Sequence, residues 1–366
     1  MKKILILTAG YGEGHNSAAR GIRDGLRKIA PEGVHVELHD LFADTYGVAN
    51  DWARILYMGM INRTPRVWGV IYRWLDRQTD FVGDFRVFLM LKNYLRRLLD
   101  RLQPDIIVSV YPAYSHMLDE MFGRDARLPY KRVVVVTDSI SVNAIWYQCS
   151  ADHFLLPNEV SAAVLLEAGI PAEKVMTFGF PVSPIFAQPG EVRLPPSDEN
   201  GRRVLYIINA ANSAAPDLVR RLAGLPGIQL TVTVGRNAGL KLSVEKIRQT
   251  VTQEFETVDW SDELPRLLRA NHLVISKAGG ATVQEAMSAA CPFIVNHVIP
   301  GQEEGNARYI METKSGTVAL THDAAIDAVQ KAFANDAALW HEWAANISHL
   351  GRPNASLDIA KFLMSL

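Results

Sequence analysis

Short, almost wholly apolar runs recur along this chain, each followed by residues with apolar positions at helical spacing. The runs are ILIL (4–7), DIIVSV (105–110), RVVVVT (132–137), HFLLP (153–157) and VMTFG (175–179). The alternation restarts after residue 200 with VLYIIN (204–209), LTVTV (230–234), HLVIS (272–276) and PFIVN (292–296). Strands without polar alternation are buried on both faces, which fits a parallel sheet covered by helices on each side. The pattern predicts an α/β protein of two Rossmann-like, doubly wound domains, 1–187 and 202–350. A proline-rich, weakly periodic linker, 188–201, lies between them. A last helix, 351–366, is expected to return to the first domain. Ligands of such sheets bind beyond the C-terminal strand ends. Two such domains facing each other would put the site in an interdomain cleft.

One stretch breaks this pattern. From Phe42 to Arg101 no β run is evident, and aromatic and basic residues interleave, among them Trp52, Arg54, Tyr57, Arg63, Trp68, Arg73 and Trp74. Residues 52–101 hold ten Lys or Arg against four Asp, a local charge of +6. Either this is a helical insertion with solvated arginines, or it is a surface for anionic lipid.

Composition narrows the classes. The 366 residues are 48% hydrophobic and 21% charged with net charge −1, so no global basicity points to nucleic acid. Two cysteines, Cys149 and Cys291, form no disulfide framework or zinc pattern and read as buried thiols. No run of ~18 apolar residues predicts a spanning helix. No cleavable leader precedes the first strand, so a cytoplasmic or peripheral membrane protein is expected.

The candidate chemistry lies at predicted strand ends. After ILIL comes Gly10-Tyr11-Gly12-Glu13-Gly14-His15, without a Walker lysine and without the spacing of a dinucleotide fingerprint, though Glu37 or Asp40 could serve as that motif's acid. Ala18, Ala19, Ile22, Leu26 and Ile29 form the apolar stripe of the next helix, which Asn16 or Ser17 could cap. His15 would then sit just before a helix N-terminus, whose partial charge keeps the imidazole neutral and basic. The alternative is a histidine that only braces its loop. After HLVIS comes KAGGATVQEA, a glycine turn opening a helix, suited to a phosphate. Spacing there makes Thr282 and Glu285 a capping box. PGQEEGNA at 300–307 offers Gln302 and Glu303 to a sugar, or is merely an acidic first turn. Asp138 ends its strand and should face the ligand edge, or cap a helix. Asn212 and Ser213 replace the usual glycines after VLYIIN and could still serve a diphosphate. His35 and His39 look like the exposed face of a second strand, and no metal site is evident.

LTAGYGEGHNSAA, ISKAGGATVQEAM and VIPGQEEGNARYI together resemble the monogalactosyldiacylglycerol synthase and processive diacylglycerol glucosyltransferase family, over residues 3 to about 316. The resemblance implies the GT-B fold. It implies an inverting transfer of galactose or glucose from a UDP-sugar to a diacylglycerol-type lipid, without cofactor or metal. It implies His15 as base, assisted by Asp138, with Gly12, Glu13, Gly14 and Asn16 around the acceptor. For the donor it implies Lys277, Gly279, Gly280, Thr282, Glu285, Gln302, Glu303 and Asn306, with Glu285 on the ribose in place of the capping box; Asn212, Ser213, Gly235 and Arg236, at strand ends of the same domain, are added as donor-site candidates from their positions. It also favours the membrane reading of 42–101, peripheral on the inner face of the cell membrane. Gly179-Phe180-Pro181 matches the family's G-x-P before the linker. Asn209-Ala210-Ala211-Asn212-Ser213 departs from the family's glycine-rich turn, so the diphosphate could be held differently there; Ser139-Ile140-Ser141-Val142-Asn143 departs on the acceptor side, so the acceptor could be another lipid. A UDP-sugar epimerase, an NAD-dependent oxidoreductase and a silent UDP-sugar or lipid sensor are the rivals.

Overall fold

The computed structural model describes residues 1–50, 52, 87–124, 126–140, 142–190, 193–208, 214–300 and 303–366. They form two compact units, Met1–Ala187 with Arg352–Leu366, and Gln188–Gly351. Most of the 42–101 segment lies outside the described residues, as do Ser141, Asn209–Ser213 as a stretch, Gly301 and Gln302.

In the first unit, six parallel strands run β1 (Lys2–Thr8), β2 (Val34–Asp40), β3 (Ile106–Ser109), β4 (Lys131–Val135), β5 (His153–Leu156) and β6 (Val175–Thr177). Their spatial order is β2-β1-β3-β4-β5-β6. Helices α1 (Glu13–Ile29), α2 (Leu41–Tyr46), α3 (Val87–Leu102), α4 (Pro112–Phe122) and α5 (Glu159–Glu167) accompany them. Order reverses between β1 and β3, the point where such sheets bind ligands. Ile4, Leu5, Ile6 and Leu7 of β1 are all fully buried, as a central strand covered on both faces requires. Each such side chain contributes roughly 1.5–3 kcal/mol on burial.

The second unit has β7 (Arg202–Ile207), β8 (Ile228–Gly235), β9 (Glu256–Asp259), β10 (Leu273–Lys277), β11 (Phe293–His297) and β12 (Gly316–Val318). The order is β12-β11-β10-β7-β8-β9, which reverses between β7 and β10. Its helices are α6 (Ala215–Ala223), α7 (Ala238–Arg248), α8 (Leu264–Ala270), α9 (Gly280–Ser288), α10 (Glu304–Glu312) and α11 (His322–Ser348). α11 is broken by extended Ala334 and left-handed Asn335, Asp336 and Ala337. Beyond the break Trp340 is buried and donates to the His272 carbonyl at 2.7 Å.

The last helix, α12 (Ala355–Ser365), packs on α1 of the first unit. Glycines of α1 permit this approach and a second one, by the 181–182 segment. A Cβ on Gly25 would lie 2.4 Å from the Ser356 carbonyl oxygen, and one on Gly21 would lie 1.9 Å from that of Pro181. Phe362 of α12 meets His153 and Phe178 at ring distances of 5.1 and 5.3 Å.

The nine apolar runs all lie on strands. β2, β9 and β12 were not among them, and all three are edge strands, though the edge strand β6 was read. Burial on a single face leaves no continuous apolar run to read. Among the described residues, no helix is long and apolar enough to cross a membrane.

Candidate active site

In the first unit the glycine turn leaves β1 and enters α1 earlier than the sequence suggests. Gly12 is extended and serves as N-cap, and Glu13 occupies the first turn, where a carboxylate suits the positive helix end. Neither Asn16 nor Ser17 caps. Asn16 instead accepts the Thr8 hydroxyl through Oδ1 at 3.0 Å. His15 is therefore the third helical residue, inside the first turn and not before it. Glu13 is exposed and pairs with Arg20 at 2.5 Å. A Cβ on Gly14 would meet nothing within 4 Å, so packing does not demand a glycine there.

His15 Nδ1 lies 2.9 Å from the Val110 carbonyl and 3.0 Å from Thr137 Oγ1. A carbonyl can only accept, so the network assigns the Nδ1 proton and leaves Nε2 as the basic nitrogen. Among the described residues Nε2 has no hydrogen-bond partner. Tyr111 meets the ring edge-on at 5.1 Å and Trp146 lies at 6.0 Å. Desolvation among these rings lowers the pKa to about 4, against a smaller upward pull from the Val110 carbonyl. Neutral imidazole at pH 7 follows, from burial as well as from the helix terminus.

Asp138 lies beyond the end of β4 and is half-buried. Its Oδ2 accepts the Trp146 indole N–H at 2.9 Å, and Asn143, not Asp138, caps the short 3₁₀ turn that carries Trp146. Thr137 is the strand-end side chain at the histidine. The two acids that could have met a dinucleotide ribose, Asp40 and Glu37, are both engaged within the unit. Asp40 accepts Gly10 N–H at 2.7 Å through Oδ2 and caps α2 through Oδ1. Glu37 is held by His35 (3.2 Å), His39 (3.0 Å) and Arg101 (2.5 Å). His39, only 19% exposed, also meets Asp44 at 2.6 Å, so it is not on a free polar face. Among the described residues no group of three or more His, Cys, Asp or Glu could hold a metal. Cys291 is buried and Cys149 half-buried, and both are free thiols.

In the second unit the turn after β10 leads into α9 with Gly279 as N-cap and no side-chain cap. Gly280, Ala281 and Thr282 are the first three helical residues, so their N–H groups point out of the helix without intrahelical acceptors. Thr282 is thus not a cap, and the capping box with Glu285 is not formed. Glu285 sits one turn on, half-buried. Glu303 is buried, pairs with Lys277 Nζ through Oε1 and accepts Ile299 N–H at 3.0 Å through Oε2. Asn306, also buried, donates to the Ala278 carbonyl at 2.9 Å. At the end of β8, Gly235 is left-handed (φ 60°) and the Arg236 guanidinium stacks 4.0 Å above Trp260. Asn212, Ser213 and Gln302 lie outside the described residues.

Residues 15–182 match the monogalactosyldiacylglycerol (MGDG) synthase family, and 203–342 match the glycosyltransferase family 28 C-terminal domain. The chain belongs to this MGDG synthase and family 28 glycosyltransferase group. A processive diacylglycerol beta-glucosyltransferase of Bacillus cytotoxicus is 26% identical over 344 residues, 91% of this chain and 86% of the relative. The homologue of Bacillus thuringiensis is 25% identical over 348 residues, again 91% and 86%. In fold, the MGDG synthase-like chain is similar to Acinetobacter baumannii MurG, with TM-score 0.63, 12% identity and 100% of both chains covered. It is also similar to the UDP-GlcNAc 2-epimerase of Neisseria meningitidis, with TM-score 0.61, 13% identity and 100% of both chains covered.

The glycine turns and His15 were legible in the sequence. Val110, Thr137 and Trp146 around the histidine, and Trp260 beneath Arg236, were missed. Their one sequence signal is position, since each follows the end of a strand or the turn beyond it.

Proposed function

We propose that this glycosyltransferase moves a hexose, glucose or galactose, from a UDP-sugar to the hydroxyl of a diacylglycerol-type lipid, with inversion and without a metal. The observation that carries it is the histidine of α1: its Nδ1 proton is fixed by the Val110 carbonyl and its Nε2 is neutral and unpaired among the described residues. Nε2 takes the proton of the lipid hydroxyl as that oxygen displaces UDP from the sugar. Gly12 and Gly14 leave room for a head group beside it. Asp138 acts through Trp146, whose ring flanks the imidazole. The leaving diphosphate meets the outward N–H groups of Gly280, Ala281 and Thr282 and the Lys277 ammonium, which offset its charge. Glu285 accepts the ribose hydroxyls, and Arg236 on Trp260 offers a flat surface to the base. The aromatic, basic segment 42–101 contacts anionic lipid on the inner face of the membrane. The names of the Bacillus relatives support a diacylglycerol acceptor.

The test is transfer from labelled UDP-glucose and UDP-galactose to vesicles holding diacylglycerol, with EDTA present throughout, and identification of the product. A glycolipid forms, and His15→Ala lowers its rate by ~10²–10⁴-fold with the fold retained. Near-wild-type transfer by that variant, or an epimerised nucleotide sugar as the only product, would refute the proposal.

A further inference from the structure

Glu303 and Asn306 reach across from one strand-end loop to the next. Glu303 pairs with Lys277 and Asn306 holds the carbonyl of Ala278, so two side chains of the 303–312 region fix two consecutive residues of the β10–α9 turn. Exposure in the ion pair is unequal: the Glu303 side chain is 5% exposed and that of Lys277 is 29%. The carboxylate is the inner partner, with its second oxygen on Ile299 N–H, and the ammonium keeps an outer side toward solvent. An ammonium carries three N–H donors, and the pair leaves outer ones for another anion. The pair lies close over Gly279, where a Cβ would stand 3.2 Å from Lys277 Nζ and 3.6 Å from Glu303 Oε1.

The pair also answers an electrostatic problem. Lys277 stands three residues before the first residue of α9, beside the partial positive charge of a helix N-terminus, where a cation is disfavoured. A fixed carboxylate compensates that repulsion. Glu303 itself is the N-cap residue of α10, where the helix terminus favours a negative charge. The strand-end amides and the ammonium can then face one diphosphate together.

We propose that Glu303 is a positioning residue, holding the Lys277 ammonium against the β10–α9 turn for a nucleotide diphosphate and making no contact with the hexose. This rests on the UDP-sugar reading above. The experiment is calorimetric titration of UDP, and separately of UDP-glucose and UDP-galactose, into wild type, E303Q, E303D, K277M and the E303Q/K277M pair. In E303Q, UDP binds about tenfold more weakly, as expected for loss of a charge-assisted contact. E303D, which keeps the charge, recovers most of that affinity and supplies the reading if E303Q does not fold. On the K277M background E303Q changes UDP affinity by less than about twofold, since the carboxylate acts only through the lysine. The ratio of UDP-hexose to UDP affinity is the same in E303Q as in wild type. If E303Q leaves UDP binding untouched and weakens only the UDP-hexoses, Glu303 contacts the sugar and the proposal is wrong. If E303Q tightens UDP, the carboxylate competes with the diphosphate, and the proposal is again wrong. Wild type that binds no UDP would overturn the functional reading and this proposal together.

Discussion

Arg193 offers the sharpest test of how the second unit is held together. It lies in a proline-rich stretch that reads as linker, yet its guanidinium is largely buried among backbone carbonyls. Nε donates to Arg269 O at 3.0 Å, Nη1 to Ala290 O at 2.6 Å, and Nη2 to Leu268 O at 2.8 Å and Ala289 O at 2.9 Å. These carbonyls belong to the ends of α8 and α9, the negative poles of both helices, which lack intrahelical donors. Burial pulls the guanidinium pKa down, but arginine stays charged. Hydrogen bonds to a charged group contribute about 1.5–3 kcal/mol singly, though water entering the vacated space would satisfy some carbonyls. The four together therefore should amount to about 3–4 kcal/mol in Arg193→Ala, a large part of a domain's stability. Melting of the second unit should fall by about 6–16 °C for a unit of this size. Arg193→Lys keeps the charge but loses the planar fork, and should fall between the two. The assay is urea or thermal unfolding followed by tryptophan fluorescence, where Trp340 and Trp343 report on this unit's core. If Arg193→Ala unfolds within about 0.5 kcal/mol of wild type, water serves the helix ends as well as the guanidinium does, and the reasoning fails.

Gly21→Ala places a Cβ 1.9 Å from the Pro181 carbonyl oxygen, so α1 must shift. A loss of ~2–3 kcal/mol in unfolding free energy is expected, with reduced transfer because α1 carries His15. Unchanged stability in Gly21→Ala would mean the close approach is not real. His272 is buried with Nδ1 accepting Arg203 N–H at 2.9 Å and Nε2 2.9 Å from the Leu194 carbonyl. Desolvation, chiefly, lowers its pKa from 6.5 to about 4. Between those values the unfolded chain binds a proton that the folded chain refuses. Stability should be flat above pH 6.5 and fall below it, by up to about 1.4 kcal/mol per pH unit for such a histidine. His15, lowered likewise to about 4, adds a slope of the same sign, so urea midpoints from pH 8 to 5 should show His272→Asn removing only the His272 share.

The sequence by itself determined the sheet, because central parallel strands must be apolar on both faces and nine runs advertised them. It also determined where chemistry could occur. A glycine turn between strand and helix exposes bare amides wherever the fold puts it, and so His15 and the 279–282 turn could be found without coordinates. Helix starts were read wrongly at both turns, since Asn16 and Thr282 are good capping residue types while the chain used extended Gly12 and Gly279 instead.

Only the tertiary structure decided what each polar group does. Val110 and Thr137 reach His15 across 95 and 122 positions of sequence. Asp40 turns out to tie down Gly10, Glu303 to hold Lys277, and Arg193 to close two helix ends. A carboxylate or guanidinium carries the same charge wherever it falls in the sequence. Its role depends on which backbone dipoles and counter-charges share its low-dielectric surroundings, and those come from strands and turns far away in the chain.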